Sequence, residues 1–280
     1  MLSSAALSTA PASCSRASGD KVVNEAGFFE PDGDALIPDP SARGPWAEDM
    51  MHGRLLAGLA AWAIDRDHGD DAFVPARLTV DMFKSPGMKE TRVSTALVRA
   101  GGRVRVVDAT IQVGGVDVAR GTALYLRRGQ APVDDVPVTP AWDITLPNPP
   151  PDDPYDMPFE VRWLEGREFG APGIRQTWIR EKHPLVTGHP LTPFIRAAVA
   201  ADFASPLANS STEGLEYINA DLALYIARLP DGEWIGLESA DRVAADGVSV
   251  AHCRMHDSTG PIGASEVCAV LNSRMARPES

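Results

Sequence analysis

A single carboxylate in an apolar stretch is the residue of this sequence best suited to chemistry. Asp202 is the only acidic residue between Thr192 and Thr212, and it lies near the C-terminal end of a predicted apolar helix. Burial and the negative end of the helix dipole both disfavour an ionised carboxylate, so the pattern favours a raised pKa and a general base. The alternative is a half-exposed Asp202 that caps the helix and bonds to the following loop.

Two further polar residues, Asn219 and Asp221, lie two positions apart in a predicted strand whose other positions are apolar. Strand alternation predicts that both side chains point to one face, away from the apolar face. An amide there could hold a water molecule or polarise a carbonyl. A solvated face, or a face at a sheet interface, would explain the same pattern without function.

His52 and Gly53 precede the first predicted helix, and Arg54 follows them. Free backbone N–H groups of Gly53 and Arg54 could stabilise a developing oxyanion at the helix start. A glycine at this position also fits close packing of the helix against a sheet.

A metal site is not predicted from the histidines. His252 and His256 have metal-like spacing, but four residues of a strand span about 13 Å, which is too far to share one ion. The sequence therefore predicts neither a metal nor a cofactor.

The elements that must position these residues occur twice in the chain. The segment 84–126 resembles the segment 228–271, and each copy is preceded by a hydrophobic helix candidate, which indicates a duplication. The second helix begins with Thr192 as N-cap and Pro193 at the first helical position, and is predicted to end before Pro206. The predicted strands are 77–84, 91–99, 103–113 and 116–127 in the first copy, and 161–167, 176–182, 217–227, 234–243, 248–255 and 262–271 in the second.

The fold class predicted from this pattern is α+β. An apolar helix followed by a long antiparallel meander is most simply packed by wrapping the curved sheet around the helix, which is the hotdog arrangement. We predict a double hotdog with modules over residues 21–130 and 159–274, joined by a proline-rich linker over 131–158. Residues 1–20 are predicted to form a disordered tail.

Composition restricts the partners and the compartment. The 280 residues carry a formal net charge of −12, which disfavours nucleic acid and anionic membranes as partners. The longest apolar run, 55–64, is too short to cross a bilayer, and the N-terminal segment lacks the basic start of a secretory signal. The three cysteines are odd in number and show no paired spacing, which fits a reducing compartment. A cytoplasmic protein is therefore expected.

Short motifs in both halves resemble the TesB-like group of double-hotdog acyl-CoA thioesterases. Together they cover about residues 44–272 and are more specific than any one of them alone. They are Gly44-Pro-Trp46, His52-Gly53, Arg77-Leu-Thr-Val-Asp81 and the turn between Arg99 and Arg105 in the first half, and Ala201-Asp-Phe203, Tyr217-Ile-Asn-Ala-Asp221, Arg228-Leu-Pro-Asp-Gly-Glu-Trp234 and Asp257-Ser-Thr-Gly260 in the second.

The resemblance implies hydrolysis of an acyl-CoA thioester by a water molecule held among an Asp, a Thr or Ser, and a Gln. Asp202 matches the Asp, and Asn219 falls at the hydroxyl position. Cys268 falls near the Gln, although a shift of one or two residues would bring Val267 or Glu266 there.

Substrate contacts are expected from His52, Gly53, Arg54 and Asp221, and assembly into a homo-oligomer is expected from the family. Because the hydroxyl and the Gln are replaced, a non-catalytic acyl-CoA or lipid-binding protein is the alternative.

Overall fold

The computed structural model describes residues 26–130, 137, 140–142, 145–148 and 158–272. The predicted N-terminal tail and much of the predicted linker lie outside these residues. None of the helices in the described ranges is long and apolar enough to cross a membrane.

The first half contains one long helix and six strands. A short 3-10 helix, Pro40–Ala42, follows the first hairpin. The elements are β1 (Phe29–Asp32), β2 (Ala35–Pro38), α1 (Arg54–His68), β3 (Phe73–Met82), β4 (Thr91–Ala100), β5 (Val104–Val113) and β6 (Val116–Arg127).

The second half repeats this order with an interrupted helix. Its elements are β7 (Phe159–Trp163), β8 (Arg175–Glu181), α2 (Pro193–Ala201), α3 (Ala204–Asn209), β9 (Ser210–Ser211), β10 (Gly214–Leu215), β11 (Tyr217–Asn219), β12 (Asp221–Ile226), β13 (Ile235–Ala245), β14 (Val248–Asp257) and β15 (Gly260–Leu271). The predicted meanders are present in both halves. The hairpin β1–β2 was not predicted.

Both halves contribute to a single thirteen-stranded antiparallel sheet. Its strand order is β1-β2-β4-β5-β6-β3-β12-β15-β14-β13-β8-β7, with β11 paired to β15. The order on one side of the β3–β12 contact mirrors the order on the other side. The predicted α+β double hotdog is therefore the observed fold, and the two modules meet where β3 pairs with β12.

The two central helices pack against each other inside this curved sheet. Eleven consecutive residues of α1, from Arg54 to Ile64, are buried, which agrees with a helix that is apolar or small on nearly every face. The helices run antiparallel, since Gly58 of α1 faces Val199 of α2 and Asp65 of α1 accepts a hydrogen bond from Thr192 at 2.9 Å. The start of α1 therefore lies beside the end of α2.

The second helix does not run through Phe203 as predicted, but breaks at Asp202. Pro206 has no N–H to donate to the carbonyl of Asp202, the residue four positions earlier, and its ring opposes a continuous helix. Ser205 donates to that carbonyl instead, at 3.1 Å. Asp202 is thus the C-cap of α2, and α3 begins two residues later.

The predicted strand over 217–227 is also interrupted, at Ala220. Asn219 pairs with Ala269, whereas Ala223 pairs with Glu266, so β11 and β12 together contain one residue more than the facing part of β15. Such a bulge reverses the alternation of side chains on one side of it. This shift changes which predicted site residues share a face.

The described part of the linker contacts the second module through Trp142. Its ring lies 4.3 Å from the ring of His256 and 5.6 Å from that of Trp178, measured between centroids. A Cβ added at Gly236 would lie 2.8 Å from the Trp142 ring, so the absence of a side chain there admits the tryptophan. This part of the linker is therefore packed against the sheet.

Candidate active site

Asp202 lies at the junction of α2 and α3, where the broken helix brings its carboxylate to the inner face of the sheet. The residue is only 5% exposed. Asn219 Nδ2 donates a hydrogen bond of 2.7 Å to Asp202 Oδ1. Asp202 Oδ2 accepts no hydrogen bond from the described residues, which leaves this oxygen free for a water molecule.

The electrostatics of Asp202 follow from its burial. Desolvation raises the pKa of this carboxyl group to about 6, against the opposing effects of the Asn219 hydrogen bond and the positive charge of Arg54. At neutral pH the group is mostly ionised, but it retains enough basicity to accept a proton. The half-exposed capping interpretation of Asp202 is therefore wrong with respect to exposure, although the residue does occupy a cap position.

The N-terminus of α1 lies close to this pair. A Cβ built on Gly53 would be 4.0 Å from Met82 Sδ, and the same sulfur lies 3.7 Å from Asn219 Nδ2. The backbone N–H of Gly53 donates to no atom among the described residues, while that of Arg54 makes a long contact of 3.4 Å with His52 Nδ1. These amides form a positive helix end beside the Asp202 and Asn219 side chains.

Arg54 is buried and takes part in an ion pair. Its Nη1 donates to Glu181 Oε1, and its guanidinium lies 4.7 Å from the centre of the Phe159 ring and 5.0 Å from that of Phe28. Its Nε and Nη2, and Glu181 Oε2, have no hydrogen-bond partner among the described residues. Arg54 is therefore a buried cation that acts on Asp202 through its charge.

His52 lies next to Phe159, with 6.2 Å between the centroids of the two rings. Desolvation, together with the charge of Arg54, lowers the pKa of His52 to about 3. The imidazole is therefore neutral across the physiological range, and its Nδ1 points to the Arg54 amide.

Asp221 and Cys268 are not brought to this site. The prediction that Asn219 and Asp221 share a face is wrong, because the bulge at Ala220 turns Asp221 to the outer face. There Asp221 Oδ1 accepts the backbone N–H of Cys268 at 2.6 Å. The Cys268 side chain is exposed. Its partial desolvation and the nearby Asp221 carboxylate raise the pKa of the thiol.

The inner-face residue next to Cys268 is Val267, which is buried. The position near the expected Gln is therefore apolar on the side that faces Asp202. Ser265, two residues earlier on the same face, donates its hydroxyl to the carbonyl of Ala201 at 2.8 Å. This hydrogen bond holds the end of α2 against β15 and positions Asp202.

Sequence reasoning missed an aromatic cluster beside the carboxylate. The ring of Phe203 lies 5.7 Å from Phe159, 6.2 Å from Trp163 and 5.6 Å from Phe169. Phe169 is 43% exposed, so the cluster extends from the interior to the surface. Its members come from β7, a loop and the helix break, and their spacing in the sequence gives no periodic signal.

No group of three or more His, Cys, Asp or Glu residues in the described ranges could hold an ion. His252 instead contacts Glu266 at 3.2 Å on the surface, and both ring nitrogens of the buried His256 lack partners within those ranges.

Comparisons with known families and structures agree with this architecture. Residues 42–126 match the family described as the acyl-CoA thioesterase N-terminal domain, and residues 131–266 match the acyl-CoA thioesterase C-terminal domain. No curated protein sequence gives a significant match.

Several solved structures have the same fold at low sequence identity. A Novosphingobium aromaticivorans protein proposed to be a thioesterase has a TM-score of 0.70 at 18% identity, covering 87% of this chain and 98% of its own. An Alicyclobacillus acidocaldarius protein of unknown function with a hot dog fold has a TM-score of 0.66 at 15% identity. The match covers 89% of this chain and 97% of that protein. The tesB protein of Mycobacterium avium subspecies paratuberculosis has a TM-score of 0.62 at 14% identity. The match covers 87% of this chain and 95% of that protein.

Proposed function

The chain belongs to the acyl-CoA thioesterase family, and from this premise we propose that it hydrolyses an acyl-CoA to a free acid and CoA. The observation that carries the proposal is the buried carboxylate of Asp202, hydrogen-bonded to Asn219 and adjacent to the N-terminus of α1. A base, a positioning amide and a positive helix end are the components that hydrolysis by water requires.

In this mechanism Asp202 Oδ2 accepts a proton from a water molecule. The water oxygen attacks the thioester carbonyl carbon, and the tetrahedral intermediate collapses with cleavage of the carbon–sulfur bond. The CoA thiolate leaves and takes up the proton held by Asp202, which regenerates the ionised base, and the acyl group departs as a carboxylic acid. Asn219 keeps the base oriented through its hydrogen bond to Oδ1, at the position where the family resemblance implies a Thr or Ser hydroxyl.

The negative charge that develops on the carbonyl oxygen would be stabilised by the start of α1. The free amide of Gly53 is the first donor available there. The absence of a side chain at Gly53 lets the substrate approach this amide closely. His52, which stays neutral, and the buried Arg54 are proposed to shape this end of the site rather than to exchange protons.

The acyl chain is proposed to lie against the aromatic cluster formed by Phe159, Trp163, Phe169 and Phe203. The cluster adjoins Asp202 through Phe203 and reaches the surface at Phe169. Aromatic and aliphatic surfaces of this kind hold the apolar part of a ligand, while a few polar groups orient its reactive end.

Hydrolysis can be tested by following free thiol release from a panel of acyl-CoA thioesters. Asp202→Asn is expected to lower kcat/KM by roughly 10²–10⁴-fold, the usual contribution of a general base. Asp246→Asn, a change at an exposed turn, is the matched control and should leave the rate unchanged. Full activity in the Asp202 variant would remove this residue as the base.

The second candidate function is acyl-CoA or lipid binding without turnover. It is favoured by the buried Val267, which leaves the inner face of β15 without the Gln that the family resemblance implies. Tight acyl-CoA binding with no thiol release for any chain length would support this candidate, and turnover of one substrate would exclude it.

Assembly and compartment also remain proposals. We propose a homo-oligomer that uses the outer face of the second module, where Val243, Val248, Val250 and Val270 are all exposed. Exposed apolar residues clustered on one sheet face are typical of an interaction surface. A cytoplasmic location is proposed on the unpaired cysteines alone. Light scattering at several concentrations would test the oligomer.

A further inference from the structure

A surface cleft lies beyond the end of α3, between the start of β8 and the middle of β13. Its volume is about 250 Å³, and two arginines, Arg175 and Arg242, line it together with Ala208 and the exposed Ile174. A bulge at Ala240 widens β13 at this point.

Neither arginine has a carboxylate partner within the described residues. Arg175 donates from Nε to Ala171 O at 2.8 Å and from Nη1 to Leu207 O and Ala208 O, both at 2.9 Å. These acceptors are all backbone carbonyls. The cleft is thus a local concentration of positive charge on a chain whose formal net charge is −12.

Arg242 is the more available of the two cations. Its Nε donates to Asn209 Oδ1 at 2.8 Å, while its two terminal nitrogens contact no acceptor of the described ranges. The lining acid Asp241 precedes Arg242 in β13, so strand alternation turns its side chain to the other face. Burial and the nearby charge of Arg242 lower the pKa of Arg175, which agrees with two cations that lie close together.

The cleft is connected to the candidate active site by β11. The guanidinium of Arg242 lies 5.2 Å from the centre of the Tyr217 ring. Tyr217 and Asn219 share a face of this strand, two residues and about 7 Å apart. The cation pair is therefore near Asp202 but separate from it, as expected for a site that binds a part of the substrate remote from the reacting bond.

We propose that Arg175 and Arg242 bind phosphate groups of the CoA portion of the substrate. Guanidinium groups match phosphate oxygens in geometry and charge. The two terminal nitrogens of Arg242 and the Nη2 of Arg175 contact no acceptor of the described ranges and can bind phosphate oxygens at this cleft. A local positive site also offsets the repulsion between a polyanionic substrate and an acidic protein. This inference rests on the proposed thioesterase function and assigns a location to the CoA end of its substrate.

The test compares one acyl group on two carriers, CoA and pantetheine, which has no phosphate. Arg242→Gln is expected to lower kcat/KM for the acyl-CoA about tenfold through KM, and to leave acyl-pantetheine hydrolysis unchanged. Arg175→Gln should act in the same direction. Arg99→Gln, which removes an exposed arginine of the first module, controls for the loss of net charge.

Two results would overturn the inference while leaving the thioesterase function intact. One is an equal loss on both carriers in Arg242→Gln, and the other is no loss on either. If the unmodified protein hydrolyses neither carrier, calorimetric titration with CoA decides instead. Binding that is at least fivefold weaker in Arg242→Gln than in Arg99→Gln supports the site, and equal binding, or none, rejects it.

Discussion

The proposed chemistry depends on one carboxyl group, that of Asp202, which the fold buries although burial disfavours its ionised form. Water is largely excluded from Asp202, so the ionised form is disfavoured, while Asn219 and Arg54 restore part of its stability. The balance gives a pKa of about 6, which suits a base that works near neutral pH. The pKa of Asp202 thus reflects three contributions, which are its burial, the hydrogen bond from Asn219 and the charge of Arg54.

The first prediction concerns the pH dependence of hydrolysis. The proposed mechanism requires ionised Asp202, so kcat/KM should fall as the pH decreases through about 6. Asn219→Leu removes the hydrogen bond that favours the ionised form, so the pKa of Asp202 should rise. The acid limb of the profile, which is the fall of kcat/KM at low pH, should therefore move to higher pH. The measurement is a pH–rate profile of kcat/KM for both proteins.

Met82→Leu is the matched control for this profile. It replaces the sulfur that contacts Asn219 Nδ2 at 3.7 Å and leaves the bond from Asn219 to Asp202 in place. Its acid limb should coincide with that of the unmodified protein. An unshifted limb in Asn219→Leu would show that this amide does not tune the base.

The second prediction is that removing the charge stabilises the fold. The pKa of Asp202 is about 6 in the folded chain and about 3.9 when unfolded, so ionisation costs stability as the pH rises through this interval. Asp202→Asn should therefore raise the free energy of unfolding by roughly 2–3 kcal/mol at pH 8, and by almost nothing at pH 4.

Urea denaturation at the two pH values, with Asp246→Asn as the reference variant, measures this difference. Equal stability of Asp202→Asn and the unmodified protein at pH 8 would contradict the raised pKa. A gain in stability with a loss of activity is the pattern expected when a functional group is held in an unfavourable place.

At the scale of elements, periodicity predicted the helix positions and most strand limits, because buried apolar faces repeat at a fixed spacing. It did not predict the bulge at Ala220, since one extra residue leaves the composition of the strand unchanged. That bulge decides that Asn219 faces inward and Asp221 outward. The break at Asp202 had a visible cause in Pro206, but the predicted helix end was placed too late.

The contact between the two central helices gives the third prediction. A Cβ at Gly58 would lie 2.7 Å from Val199 Cγ2 and 3.2 Å from Leu185 Cδ1, so Gly58→Ala requires the side chains between α1 and α2 to shift. Overpacking of this kind costs about 1–3 kcal/mol. Adding Val199→Ala removes the closest atom, and should recover part of the loss in a double-mutant cycle.

Denaturant titrations of the single and double variants measure the coupling. Gly102→Ala, at a position where a new Cβ meets nothing within 4 Å, is the control for the glycine change itself. Simple additivity of the Gly58 and Val199 changes would mean that the clash is relieved elsewhere.

At the scale of the whole molecule, the β3–β12 contact joins the two modules into one sheet. Five residue pairs connect these strands, from Asp221 opposite Asp81 to Tyr225 opposite Arg77. The inward side chains Leu78 and Leu224 face each other across the contact and are fully buried. The two central helices also pack against each other across this boundary, so the candidate active site is built from both modules.

The fourth prediction follows from this shared core: the modules unfold as one cooperative unit. Leu237→Ala changes a buried residue of β13 that lies well inside the second module, and a cavity of this type costs about 2–5 kcal/mol. Hydrogen exchange should show the same loss of protection in β5 of the first module as in β14 of the second. Leu224→Ala, at the boundary, is the matched variant and should affect both strands equally. If Leu237→Ala lowers protection in β14 alone, the duplicated modules unfold independently. The pairing of β3 with β12 would then join the modules without coupling their unfolding.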